Sequence, residues 1–255
     1  MAKPDSGLMS LADIPAAIGL LTRLPIPVDT EKAAARGAQA AWAYPLVGLV
    51  LGLLVGVPAW ALSGGLPAAI LAALVLVTLV VLTGALHEDG LADSADGLWG
   101  AWEPARRLEI MKDSHIGSYG VIALVLSLLL RWLGLVAVIE AGIVIPALVA
   151  VGMLSRAAMV GLMAALPHAR DGGLSKTVGR PGMETASLAA LLAVVAALLC
   201  IGLGGVALIV AVALAALTTR AIAKAKIGGQ TGDILGATQQ LGEVAALVML
   251  GAMLS

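Results

Sequence analysis

The chain has 255 residues, of which 60% are apolar and only 12% are charged, and its formal net charge is −1. Soluble domains carry about twice that share of charged residues, so the composition excludes an ordinary soluble globule and a disordered chain. The near-zero net charge predicts no nucleic-acid partner, and a mean hydropathy of +1.04 indicates that a lipid bilayer surrounds most of the chain.

Residues 1–43 are predicted to form a cytoplasmic N-terminal segment. Within it, apolar residues recur every three to four positions, a spacing typical of a helix that lies along a membrane surface. A loosely structured tail is the alternative. The residues of this apolar stripe are Leu8, Leu11, Ile14, Ile18 and Leu21.

About seven transmembrane helices are predicted in the rest of the chain, which makes the fold an all-α polytopic membrane bundle. A spanning helix needs about 20 mostly apolar residues. The apolar run 187–217 is too long for one span, and glycines at 202–205 predict a turn that divides it into two. The other five predicted spans are residues 44–62, 66–86, 119–139, 141–166 and 234–254.

The distribution of basic residues predicts the orientation of these spans. If there are seven spans and the N-terminus lies on the inner side of the membrane, every Lys and Arg falls on that side except Arg131 and Arg156, which lie within spans. Cytoplasmic loops are enriched in Lys and Arg. The N-terminus and all the long loops are therefore predicted to face the cytoplasm.

A predicted cytoplasmic loop, residues 87–118, carries an unusual set of acidic residues. If the preceding helix continues into it, Asp89, Asp93 and Asp96 lie on one face, where their charges repel each other. A divalent cation would relieve this repulsion, and Mg²⁺ prefers carboxylate oxygens while leaving positions for substrate phosphates. The pattern favours a Mg²⁺–phosphate site over the alternative, a solvated acidic loop.

Residues 228–237 form a second polar segment, which precedes the last span. Its glycines free the backbone to approach a phosphate group, and Asp233 could complete a metal site or orient a hydroxyl. The structural alternative is a connection between two helices in which Asp233 is a helix cap.

A third polar segment, residues 112–120, offers a cation, a carboxylate and a proton acceptor just before a span. These are Lys112, Asp113 and His115. For His115, as for His87, a role as an orienting hydrogen bonder is favoured over proton transfer.

Taken together, these residues resemble the cobalamin synthase family, the adenosylcobinamide-GDP ribazoletransferases. The resemblance covers nearly the whole chain. It is carried by Glu88-Asp89-Gly90-Leu91-Ala92-Asp93 with Asp96-Gly97, by Gly229-Gln230-Thr231-Gly232-Asp233, and by the shorter matches Thr22-Arg23-Leu24-Pro25, Tyr44-Pro45-Leu46-Val47-Gly48 and Ser155-Arg156.

The resemblance implies a Mg²⁺-dependent enzyme of the bacterial cytoplasmic membrane that joins adenosylcobinamide-GDP to α-ribazole or its 5′-phosphate and releases GMP. Residues 44–255 would form its transmembrane catalytic domain. A homo-oligomer is compatible with the sequence.

The resemblance also implies roles for individual residues. Asp89, Asp93 and Asp96 would be catalytic and hold Mg²⁺ and the diphosphate, with Glu88 or Asp233 as a further ligand. Alternatively, Asp96 would accept the proton of the ribazole 5′-hydroxyl, by analogy with CDP-alcohol phosphotransferases. The candidates for substrate binding are Arg23, His87, Lys112, Asp113, His115, Arg156, Gln230, Thr231 and Asp233.

Two other functions are weighed against this one. The first is another Mg²⁺-dependent membrane transferase with a diphosphate leaving group, either a prenyltransferase or a CDP-alcohol phosphotransferase. The latter motif would place Arg after Ala92, where this chain has Asp93. The second is a cation transporter, but its polar residues would be scattered through several spans and no inverted repeat is visible here.

Three charged residues lie at similar depth inside predicted spans, where an unpaired charge is costly. Glu243 is predicted to pair with Arg156, or less favourably with Arg131. The competing interpretation is that Arg156 binds a substrate phosphate.

Overall fold

The computed structural model describes residues 7–255, and within this range the chain forms helices and no sheet strand. The helices are α1 (Asp13–Leu21), α2 (Thr30–Arg36), a 3₁₀ helix (Gly37–Ala43), α3 (Tyr44–Leu62), α4 (Ala68–Thr83), α5 (Leu86–Gly100), α6 (Pro104–Ile110), α7 (Ser118–Glu140), α8 (Val144–Ala165), α9 (Leu174–Val178), α10 (Met183–Ile201), α11 (Gly204–Ile227) and α12 (Gly232–Leu254). The predicted segment 1–43 begins with residues that lie outside the described range.

The predicted polytopic helical bundle is confirmed. Six of the described helical segments are long and apolar enough to cross a membrane, and there are seven if α4 and α5 together form one broken span. The predicted division of residues 187–217 is also present, because α10 ends at Ile201 and Gly202 adopts a positive φ of 63° before α11 begins. Glycine allows this backbone conformation without steric cost.

The helix before the acidic segment does not continue into it, although that was the condition for placing the three aspartates on one helical face. Gly84 and Ala85 both adopt left-handed backbone conformations, with φ of 63° and 55°, so α4 ends and α5 begins at an angle of 88° to it. Residues 87–118 are also not a simple loop, because they contain α5 and α6. The acidic residues therefore lie on a separate helix.

Helix α8 is the centre of the bundle. Almost every side chain of its central part is buried, and it packs against α3, α10, α11 and α12. Its closest approach is to α3, where a Cβ at Gly152 would lie 2.9 Å from the carbonyl oxygen of Gly48. Small residues at such crossings allow two backbones to come together, the usual way of packing helices inside a membrane.

The N-terminal helix α1 packs on α3 and the 3₁₀ helix. The predicted apolar stripe is divided, because Leu21 is buried against the bundle whereas Leu8 and Leu11 are exposed. Whether this exposed part lies on the membrane surface stays a prediction.

A buried ion pair fastens α1 to the following segment. The Arg36 Nη2 and Trp42 Nε1 atoms donate hydrogen bonds of 2.6 and 2.7 Å to the Asp13 carboxylate. Burial acts to raise the pKa of Asp13, but these hydrogen bonds lower it below its ordinary value. The residues before α3 are thus joined to the bundle, and the predicted domain boundary at residues 43 and 44 stays a prediction.

The arrangement of spans predicts opposite sides for two exposed glycines. Gly64 lies between α3 and α4 and Gly172 lies between α8 and α9, and a Cβ at either position would meet no atom within 4 Å. In a background in which Cys200 is replaced by Ser, Gly64→Cys and Gly172→Cys should react with a membrane-impermeant maleimide from opposite faces of oriented vesicles. Labelling of both from one face would contradict the proposed number of spans between them.

Candidate active site

The first turns of α5 and α12 cross at two glycines. A Cβ at Gly90 would lie 2.9 Å from the backbone oxygen of Asp233, and a Cβ at Gly236 would lie 3.3 Å from that of His87. A side chain at either glycine would push the helices apart. This crossing brings Asp233 of α12 to the acidic face of α5.

The structure brings together four of the carboxylates that the sequence singled out. The half-buried Asp93 is repelled by the charges of Asp89, Asp233 and Asp96. The nearest opposing charge is Arg170, whose Nη2 atom lies 3.2 Å from Asp233 Oδ2. The site therefore holds a strong excess of negative charge.

Asp96 has a structural role that the sequence did not reveal. Its two carboxylate oxygens accept hydrogen bonds from the backbone N–H groups of Gly117, at 2.7 Å, and Gly120, at 2.9 Å. These N–H groups lie at the start of α7, where a helix has no carbonyl group of its own to accept them. The helix dipole also favours a negative charge at this end. Each oxygen keeps a further lone pair, so the predicted metal or proton role of Asp96 stays a prediction.

Glu88 lies apart from the other carboxylates. Its Oε1 atom lies 2.9 Å from Arg131 Nη1 and accepts a hydrogen bond of 3.1 Å from Gln240 Nε2. The structure therefore places the predicted metal ligand Glu88 in a buried polar network and not in the acidic cluster.

The same network contains the three charged residues that lie inside the predicted spans. Glu243 lies 2.9 Å from Arg131 and 3.6 Å from Arg156, so it contacts both, but the shorter contact is with the partner that the sequence analysis favoured less. Arg156 is 2% exposed and also donates to the backbone oxygen of Gly152. The structure places Arg156 in this network, and its predicted contact with substrate stays a prediction.

A cavity of about 140 Å³ lies beside the acidic cluster. Its polar lining comes from His87 and Asp89 on α5, Asp233 on α12, and Arg170 and Ser175 in and around α9. Its apolar lining includes Leu20 and Leu21 of α1, so the N-terminal segment contributes to the site. The buried His87 Nε2 atom has no hydrogen-bond partner within the described range.

Gln230 and Thr231 shape the loop in front of α12. The backbone of Gln230 pairs with that of Pro167 and Ala169, while its side chain accepts a 2.6 Å hydrogen bond from Ser175 Oγ and lies 3.0 Å from His168 Nδ1. Thr231 caps α12 by accepting from the backbone N–H of Ile234 and donates to Asp233 at 3.1 Å. Both residues therefore hold Asp233 in place.

Sequence reasoning did not assign His168, Arg170 and Ser175 to the site. They lie in the segment after α8, where Arg170 and Ser175 line the cavity and His168 pairs with Gln230. Burial, together with the nearby charges of Lys176 and Arg180, lowers the pKa of His168 below its ordinary value. The available signal was a basic and glycine-rich segment on the same predicted side of the membrane.

Besides Arg156, Gln230 and Thr231, four further predicted substrate-binding residues do not line the cavity in the described part of the chain. Arg23 is exposed, and its backbone donates to Leu82 where its side chain packs over Gly84. The others are Lys112, Asp113 and His115, which are exposed before α7. His115 Nδ1 lies 2.7 Å from Asp113 Oδ1. The hydrogen bond between these side chains lowers the pKa of Asp113 below its ordinary value.

The oxygen-rich donor set fits a hard cation such as Mg²⁺. Among residues 7–255, no three His, Cys, Asp or Glu side chains are close enough to enclose a metal ion. Mg²⁺ is usually held by one or two carboxylates together with substrate phosphates, so an all-protein cage is not required.

Comparison with known proteins identifies one family. Residues 13–251 match the family model described as Cobalamin-5-phosphate synthase. An adenosylcobinamide-GDP ribazoletransferase of Bradyrhizobium diazoefficiens is 42% identical over 247 residues, which cover 95% of this chain and 94% of the relative. One of Azorhizobium caulinodans is 45% identical over 254 residues, which cover 93% and 94%. No solved structure matches the chain.

Removal of Arg131 should destabilise the protein more than removal of Arg156. Arg131→Met leaves both Glu88 and Glu243 without their 2.9 Å partner, whereas Arg156→Met removes one contact of 3.6 Å. Breaking a buried ion pair costs about 3–5 kcal/mol. The melting temperature in detergent should therefore fall further for Arg131→Met, and adding Glu243→Gln should restore part of it. An equal or reversed order would contradict the central place of Arg131.

Asp96→Ala should lower stability as well as activity, unlike the same change at Asp89. The reason is that Asp96 accepts two backbone hydrogen bonds from α7, whereas Asp89 is exposed. Loss of a helix cap costs about 0.5–2 kcal/mol. Thermal unfolding in detergent measures this difference, and equal melting temperatures for the two variants would contradict the capping role.

Proposed function

The chain belongs to the cobalamin-5-phosphate synthase family, and we propose that it joins adenosylcobinamide-GDP to α-ribazole or its 5′-phosphate and releases GMP. The observation that carries this proposal is the acidic cluster of Asp89, Asp93, Asp96 and Asp233 beside the cavity. The relatives named for this activity match nearly the full length of the chain.

The reaction is a displacement at phosphorus. A ribose hydroxyl oxygen of the acceptor, one that a 5′-phosphate leaves free, forms a bond with the β-phosphorus of the GDP ester, and the bond from that phosphorus to the bridging oxygen breaks, so GMP leaves. The hydroxyl proton passes to a base. Such a reaction requires neutralisation of the diphosphate charge and in-line placement of the two oxygens.

The acidic cluster by itself would repel the diphosphate, so the proposed reaction includes Mg²⁺. Asp89 and Asp93 would hold the cation, with oxygens of Asp96 and Asp233 available as further ligands. When bound, Mg²⁺ supplies positive charge that stabilises the diphosphate and its leaving group.

Residues of the chain orient these groups. Arg170 lies against Asp233, and both line the cavity, so the guanidinium holds this carboxylate and offers donors to a phosphate. Thr231 and the crossing at Gly90 fix the first turn of α12. A carboxylate of the cluster that does not hold the cation accepts the hydroxyl proton.

The proposed location is the cytoplasmic membrane of a bacterium, with the site open to the cytoplasm. The one-sided distribution of Lys and Arg supports this orientation.

An assay of the purified protein in detergent tests the activity directly. GMP release is expected only when adenosylcobinamide-GDP, α-ribazole and Mg²⁺ are all present. Release of GMP without α-ribazole, or none with all three, would contradict the proposed reaction.

Asp89→Asn and Asp93→Asn should each lower turnover by about 100-fold or more, because a neutral amide keeps the shape but loses the charge that holds the cation. The matched control is Asp171→Asn, which makes the same change on a fully exposed carboxylate. Initial rates against Mg²⁺ concentration measure the effect. Near-normal rates with unchanged Mg²⁺ dependence in both variants would show that the cluster does not bind the cation.

A further inference from the structure

The cavity beside the acidic cluster has walls of different chemistry. The carboxylates of Asp89 and Asp233 come from α5 and α12, whereas the lining residues that α1, α3 and α8 contribute carry no charge. This apolar wall includes Leu20, Leu21, Tyr44, Met159 and Met163. Ligand sites commonly combine such an apolar surface with a few placed polar groups.

The two substrates of the proposed reaction differ in what such a cavity can accept. The donor carries a charged diphosphate and a corrinoid that bears many amide groups and is far larger than the acceptor. The acceptor is a nucleoside whose base is a planar, dimethylated benzimidazole, with the reacting hydroxyl on its sugar. Only the acceptor has an apolar group at one end and a reacting oxygen at the other.

The residue types of the apolar wall suit an aromatic ring. Methionine sulfur makes favourable contacts with aromatic rings, and its flexible side chain fills irregular space. A tyrosine ring can pack against the base in an offset or edge-to-face arrangement. Met159 and Met163 lie one helical turn apart on α8, so they belong to the same face of that helix.

We propose that this apolar wall is the subsite for the base of the acceptor nucleoside, which directs the sugar hydroxyl toward Asp89 and Asp233. The assignment rests on the proposed function, because it takes α-ribazole as the acceptor. The donor would then approach the carboxylates from outside the cavity.

The test compares two methionines of the same helix. Met159 and Met153 are both 4% exposed on α8, but only Met159 lines the cavity. In Met159→Ala the KM for α-ribazole is expected to rise by about tenfold, the factor that corresponds to about 1.4 kcal/mol of lost binding. The KM for adenosylcobinamide-GDP should be unchanged, and Met153→Ala should change neither.

A second measurement separates binding from general loss of structure. The space opened by Met159→Ala or by the less buried Leu20→Ala should favour larger bases. The ratio of kcat/KM for a naphthimidazole riboside over α-ribazole should therefore rise in both variants. A merely destabilised enzyme would not show this change of preference, and Leu20→Ala keeps the test available if the methionine variant does not fold.

Three outcomes would overturn the assignment. They are a rise in the donor KM alone, an equal effect of Met153→Ala, and no change of base preference in either cavity variant. If the wild-type protein releases no GMP, the proposed reaction fails separately. Equilibrium binding of radiolabelled α-ribazole to the same variants then tests the subsite without turnover, and equal affinity in Met159→Ala and the wild type would reject it.

Discussion

Arg131 lies inside the bundle with 2% of its surface exposed and contacts Glu88 on α5 and Glu243 on α12. A guanidinium at this depth is tolerated only when opposite charges satisfy it. These contacts join the span that contains Arg131 to the two helices that carry the acidic cluster. Gln240 also accepts a hydrogen bond from Arg131 and donates one to Glu88, so the relative position of α5, α7 and α12 depends on one buried polar network.

This network explains how the site tolerates its own repulsion. The cluster of Asp89, Asp93, Asp96 and Asp233 has few opposing charges, and a packed core of apolar residues would not by itself hold like charges together. The ion pair of Glu88 with Arg131 and the two hydrogen bonds from the first turn of α7 to Asp96 both join α5 to α7. The remaining negative charge is then available to a cation and its phosphate ligand.

The same helices also divide the site into two chemical regions. The 88° turn between α4 and α5 puts the acidic residues on a separate helix, most of whose residues are buried. Helices α1, α3 and α8 add Leu20, Tyr44 and Met159 among other side chains to the lining of the cavity. A polar reaction can thus take place next to a surface that is suited to an aromatic base.

The loop segments complete this arrangement in a way that local patterns do not reveal. Gln230 joins the segment before α12 to His168 and Ser175, which are distant in the chain. The glycine content of residues 228–237 indicated that the backbone was free to approach another group, and the structure supplies a neighbouring protein segment as that group. A phosphate ligand and another segment of the protein can accept hydrogen bonds from the same backbone N–H groups, so the sequence could not show which of the two these glycines serve.

The sequence by itself determined the membrane class, the approximate spans and the set of acidic residues. Each of these depends only on contiguous segments, namely on the length of an apolar run and on which charged residues flank it. It also predicted one site for Asp89, Asp93 and Asp233, because the predicted topology puts the polar segments that carry them on the same face of the membrane. Only the tertiary structure decided that Glu88 pairs with Arg131, that Asp96 caps α7, and that α1 lines the cavity. These contacts join residues far apart in the chain, and hydrophobic periodicity carries no information about which buried charges will meet.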